Sequence, residues 1–189
     1  MSEIPVFPLQ TVLFPGGPLP LRLFETRYLD MVSRCLKDER GFGVCLIAEG
    51  KETGPARTHL LGTEATIRDW GPGPEGLLHI LAQGGRRFRV MSMRTQADGL
   101  NLADVEWLPP EEAIPLPEAA RPLAELLKGI IAQLEGRYPE QDYADAVWVA
   151  YRLAELLPLG LAQRQYLLEL NDAAKRLEIL ATLVKSLGA

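Results

Sequence analysis

Ser33 and Lys37 stand four residues apart in "YLDMVSRCLK", a spacing that puts two side chains on one face of a helix. A lysine stripped of its proton there could activate the hydroxyl, but only burial would depress it enough. The pair instead shares its face with Thr26 and Asp30, opposite an apolar stripe of Tyr28, Leu29, Val32, Cys35 and Leu36, and reads as a solvated helix surface. His59 at a loop edge and His79 in an apolar strand have no second ligand or nucleophile beside them and read as structural. Cys35 and Cys45 form no CxxC pair and suggest neither a disulfide framework nor a zinc site. Glu111 and Glu112 fall in a proline-rich stretch and read as solvated. No GxxxxGK[ST] loop, GxSxG elbow or HExxH helix is present, and no stretch is read as a dinucleotide-binding turn. Catalytic residues, metal and cofactor are all expected to be none.

"GGRRFRV" at 84 to 90 carries a different possibility. Strand alternation points Arg87 and Arg89 one way and Phe88 and Val90 the other. Two arginines on one face can grip carboxylates or phosphates. The same face suits pairing with Glu64, Glu25 or other acids across a sheet, and this structural reading is favoured over the anion grip.

The elements that would position these residues divide the chain. Ile4 to Leu9 and Leu19 to Phe24 read as short strands joined by the "FPGGP" turn, with Pro8, Pro15 and Pro20 confining them to edges, ends or bulges. A helix follows, with Glu25 in its first turn, where the helix dipole favours an acid. "FGVCLIA" (42 to 48) is apolar on both faces, "EATIRDW" (64 to 70) alternates, and 77 to 90 is a longer strand broken at Gly84 and Gly85, where a bulge would bend the sheet towards a closed shape. "MSMRTQ" and "LNLADVEW" flank a hairpin turn at 97 to 99, for six or seven strands in all. "PPEEAIPLPE" (109 to 118) has the composition of a linker. Beyond it the period is helical: Leu123, Leu126, Leu127, Ile130, Ile131 and Leu134 form one stripe, and Tyr143, Ala146, Val147, Ala150, Ala154 and Leu157 a second. A short helix spans about 162 to 170, and Asn171 or Asp172 caps a last helix with Leu177, Leu180, Ala181, Val184 and Leu187 on its face.

With 189 residues, 47% of them hydrophobic, the chain can bury a core without disulfides or metal. Its formal charge of −5 argues against a general polyanion binder. No signal-peptide pattern and no run of roughly 20 apolar residues is seen, so a cytoplasmic protein without a membrane anchor is expected.

In order and over nearly the whole chain, "IPVFPLQTVLFPGGPLPLRLFETRY", "GFGVCLIAEG", "LGTEATI", "GGRRFRV" and "LAELLPLGLAQRQYLLELNDAAKRLEIL" resemble the amino-terminal domain of the Lon protease in a stand-alone form. The resemblance implies an α+β chain: a PUA-like β barrel with one inserted helix over residues 1–108, a proline-rich linker at 109–118, and an α-helical bundle over 119–189. It implies a non-catalytic module that recognises exposed segments of unfolded or partly unfolded proteins, or an adaptor for proteolysis beside a protease complex. The ATPase and Ser-Lys peptidase modules of the full-length enzyme are missing from the sequence, so no enzymatic activity is expected. The alternative is an RNA- or nucleotide-binding PUA-like module using Arg86, Arg87, Arg89 and Arg94; the acidic balance and the lack of an aromatic on the arginine face weigh against nucleic acid. A protein-binding module needs an accessible apolar groove, expected between the two halves and lined by Phe14, Trp70 and Trp107. The other reading of those three aromatics is that they close the ends of the barrel.

Overall fold

The computed structural model describes residues 2–52, 56–134 and 136–187. The chain divides into two compact units, one up to Pro110 and one from Glu111 onwards. The described part of the first unit holds strands β1 (Ser2–Leu9), β2 (Pro18–Leu23), β3 (Phe42–Gly50), β4 (Ala56–Thr58), β5 (Leu61–Pro72), β6 (Leu78–Thr95) and β7 (Asn101–Trp107), with helix α1 (Thr26–Lys37) between β2 and β3.

Despite Pro5 and Pro8, β1 is buried from Ile4 to Leu9 and has a neighbour on each side, so of the expected placements at edges, ends or bulges Pro8 takes the strand's end. Its two neighbours share it. Antiparallel β7 takes Ser2 to Val6, and parallel β3 takes Val6 to Leu9. Each proline therefore has one side of the strand with no ladder for its missing N–H to break. The pairings run β1–β7–β6–β5–β3 and back from β3 to β1, while β4 lies on β3 and β2 pairs with β6 alone. The long β6 joins what the sequence suggested were two strands. One of its two irregularities against β5 falls between Thr63↔Arg87 and Ala65↔Gly84, at the glycines that suggested a bulge. Gly84 is required by close approach: a Cβ there would stand 2.1 Å from the Phe14 carbonyl oxygen, and its N–H donates to Gly17 O at 2.8 Å.

Strand alternation gives β1 two apolar faces. Phe7 and Leu9 join Leu19, Leu23, Ile80 and the buried face of α1 (Tyr28, Met31, Val32, Cys35) in one core, with the Phe7 and Tyr28 rings stacked at 3.8 Å. Ile4 and Val6 join Cys45, Phe88, Val90, Ala103 and Val105 in another. Phe88 is wholly buried, and its ring fills space left by Gly43 and Gly62, where a Cβ would come within 2.6 and 2.8 Å.

The second unit contains α2 (Arg121–Ile131), α3 (Ala146–Leu156), α4 (Leu161–Glu169) and α5 (Ala173–Leu187). Asp145 starts α3 by accepting from the N–H groups of Val147 and Trp148, at 3.0 and 3.2 Å. Of the two candidate caps for the last helix, Asp172 does the work, accepting from Lys175 N at 2.9 Å. Residues 111 to 118 do not behave as a linker along their length. Ile114 N donates to Asp145 Oδ1, Leu116 N to Ala144 O, and Pro115 bridges to Asp145, so this segment is hydrogen-bonded into the helical unit.

Candidate functional site

The first unit carries a groove of about 390 Å³ along β2 and the start of α1. Its floor comes from Phe7, Leu9, Leu19, Leu23 and Tyr28, all members of the first core, so the apolar interior is continuous with the groove surface. One wall is the alternating strand β2 itself. Leu19 and Leu23 point into the core while Pro20 and Arg22 are exposed; Phe24, just past the strand, continues that parity and is 64% exposed. Gln10, Thr11 and Glu52 form the opposite wall.

Arg27 ties together three of the lining residues, Glu25, Tyr28 and Glu52. Its guanidinium donates to Glu25 Oε2 at 2.9 Å, to Gly99 O at 2.8 Å and to Glu52 O at 3.3 Å, and it lies over the Tyr28 ring. Glu25 occupies the N-cap position of α1 without a capping hydrogen bond, its carboxylate being committed to Arg27. Burial pushes the Tyr28 hydroxyl above its usual range despite the nearby Arg27 charge, so it stays a neutral donor. The surface so built is apolar with fixed polar margins.

The sequence-derived candidates fall elsewhere. Phe14 is wholly buried and forms no accessible surface, a correction that follows from its place behind the β2 turn, where its carbonyl backs onto Gly84. Trp107 is half-buried, edge-on to Phe88 at 5.9 Å and covered by the Arg86 guanidinium at 4.4 Å. Trp70 is 58% exposed, opposite Ile80 across β5 and β6. None of the three lines the groove. Arg87 and Arg89 are also separated: Arg87 is 5% exposed while Arg89 is open to solvent, so the two do not form a shared anion grip at the surface. The acids considered as their partners pair with other arginines, Glu64 with Arg86 and Glu25 with Arg27. Phe24 was legible as the last apolar residue of "PLPLRLF", in phase with the exposed Pro20 and Arg22, but nothing in the sequence set it apart from the rest of its strand.

The remaining candidates carry no chemistry. Ser33 and Lys37 are exposed on α1. Burial pushes the Cys35 thiol up to about 11 and the Cys45 thiol up to about 12, which leaves both protonated and unreactive at neutral pH. The stretch "GPGPEG" (71 to 76) does match GxGxxG by letter, but it connects β5 to β6 as a hairpin rather than a strand to a helix, and a Cβ on Gly73 would lie 2.3 Å from His79 Nε2. Without a following α-helix it cannot cradle a pyrophosphate. Glu111 is not solvated: its carboxylate receives Arg176 at 2.8 and 3.1 Å and the Tyr151 hydroxyl. Among the described residues there is no group of three or more His, Cys, Asp or Glu placed to hold a metal, and no helix long and apolar enough to cross a membrane.

Residues 3–186 match the substrate-binding domain of ATP-dependent protease La (LON). The crystal structure of a Lon N-terminal domain protein from Xanthomonas campestris is 38% identical, covers 96% of this chain and 98% of its own, and superimposes with a TM-score of 0.82. Protein cereblon of Xenopus tropicalis is 36% identical over 120 residues, 61% of this chain and 26% of its own length. The Lon protease of Escherichia coli is 25% identical over 97% of this chain, again 25% of its own length. The chain thus spans about a quarter of these two longer relatives.

Proposed function

The chain belongs to the family of LON substrate-binding domains, and we propose that it is a non-catalytic module that holds exposed apolar segments of other polypeptides in the groove beside β2. One observation carries this reading: an apolar groove of about 390 Å³ runs along a strand paired on one side only, and an exposed phenylalanine stands at its rim. Exposed aromatics beside an apolar cleft are common anchors of protein recognition. The family description and the Xanthomonas relative support a substrate-holding or adaptor role in proteolysis. Trp70 is the second anchor we assign, from its exposure. We read the circuit of strands as the PUA-like barrel, and the two buried, unbridged cysteines fit a cytoplasmic setting.

The test is a titration with a reduced, carboxymethylated polypeptide and, separately, with single-stranded RNA at physiological salt, since low salt inflates phosphate binding. Saturable polypeptide binding, weakened about tenfold or more by Phe24→Ala, is expected. Casein should stay intact and ATP unhydrolysed in the same preparation. RNA binding that resists salt and is lost in Arg89→Glu, without polypeptide binding, would overturn the assignment.

A further inference from the structure

Three charged residues line the groove: Arg22, Glu25 and Glu52. Two are already engaged, Glu25 by Arg27 and Glu52 by the backbone N–H of Gln10 at 2.7 Å. The Arg22 side chain is exposed and has no hydrogen-bond or ion-pair partner among the described residues. Arg27 neutralises Glu25, but a backbone N–H leaves the Glu52 charge in place, so the groove presents one unpaired cation, Arg22 on β2, and one anion, Glu52. The cation also has a fixed setting. Pro20, Arg22 and Phe24 are the exposed positions along β2, two residues apart and about 6.6 Å between successive members. Leu81, directly opposite Pro20 in the β2–β6 ladder, shares its face and is 43% exposed. The cation thus sits between two apolar stations. Pro20 has no N–H to offer, which interrupts any continuous backbone ladder with an added strand and leaves recognition to side chains.

We infer that the groove selects, among extended polypeptide segments, those with an Asp or Glu two residues from a large apolar side chain, the carboxylate meeting Arg22 and the apolar group packing on Phe24 or on Pro20 and Leu81. This rests on the polypeptide-holding role proposed for the groove. The spacing follows because residues i and i+2 of an extended peptide face the same way with the same repeat as Arg22 and Phe24, while i and i+1 face opposite ways. Arginine suits the task because its planar fork binds a carboxylate through two hydrogen bonds.

The experiment uses fluorescein-labelled ten-residue peptides with one central Phe, differing only in the neighbouring position: Asp at i+2, Asn at i+2, Lys at i+2, and Asp at i+1. Binding is read by fluorescence anisotropy at physiological salt, with wild type, Arg22→Gln, Arg22→Glu and Phe24→Ala. Wild type should bind the i+2 Asp peptide about two- to fivefold more tightly than its Asn counterpart, the scale of an exposed ion pair. Asp at i+1 should bring no gain, Arg22→Gln should erase the difference, and Arg22→Glu should favour the Lys peptide. Wild type binding Asp and Lys peptides equally, with Phe24→Ala still weakening both, would overturn the charge selection while leaving the groove's role intact. Failure of every peptide to bind would overturn both.

Discussion

Two arginines of the helical unit and one of the first unit are used in opposite ways, although the first unit also buries Arg87. In the helical unit Arg176 on α5 is fully buried: it donates to the Leu167 and Leu170 carbonyls, forms a two-pronged pair with Glu111, and stacks over the Tyr151 ring at 4.2 Å. Arg152 on α3 is likewise buried beside Glu155, whose other carboxylate oxygen accepts from Tyr138 at 2.9 Å. In the first unit the Arg22 side chain stands exposed at the groove with no described partner. A guanidinium removed from water must have its charge and donors met, and the partners then become struts of the fold. One left in water commits to nothing in advance, so it remains available to a ligand. The contrast separates arginines that hold the protein from one placed to read another.

The largest way to break that contrast is Arg176→Met. It removes the Arg176 charge from the buried Glu111 carboxylate, which keeps the Tyr151 hydroxyl, and we expect a loss of about 3 to 5 kcal/mol in denaturant unfolding. Adding Glu111→Gln should return part of it; additive losses in the double variant would show that the two do not act as a pair.

A smaller effect concerns Glu155. Burial raises its folded-state pKa above the ordinary 4.5, outweighing Arg152 and the Tyr138 hydrogen bond, both of which lower it. An acid whose pKa is higher folded than unfolded favours the fold while protonated, below the unfolded value, and that contribution is lost as pH rises through the folded value. Wild type should therefore lose stability relative to Glu155→Gln as pH increases from about 4 towards neutrality. Parallel stability curves would show that Arg152 fully offsets the burial.

Smallest of all should be the stability change in Arg22→Glu and Arg89→Ala. Both residues are exposed, and each variant should unfold within about 0.5 kcal/mol of wild type. A larger loss at Arg22 would place it among the struts rather than the readers.

Much of the fold was legible because it depends on local alternation and period. The apolar run at 42 to 48 became the buried part of β3, the 97 to 99 turn carries a positive φ at Gly99, and Tyr28, Val32 and Cys35 of the first helix's stripe became the buried face of α1 with Met31 added, while Leu29 is only partly buried and Leu36 is exposed. Less of the site was legible. Phe24 and Phe14 are both apolar, flank the same strand and look alike in sequence, yet one is 64% exposed and the other wholly buried.

The sequence by itself determined where most strands and helices run and where turns need glycine, since each depends on residues near one another along the chain. It also carried the family resemblance. Only the tertiary structure decided which charges are buried. Arg87 and Arg89 share a strand parity but differ in exposure, and Glu111, in a stretch with the composition of a linker, became the partner of an arginine 65 residues away. The physical reason is that burying a charge is favourable only when distant segments deliver its partners, and no local pattern records which segments will meet.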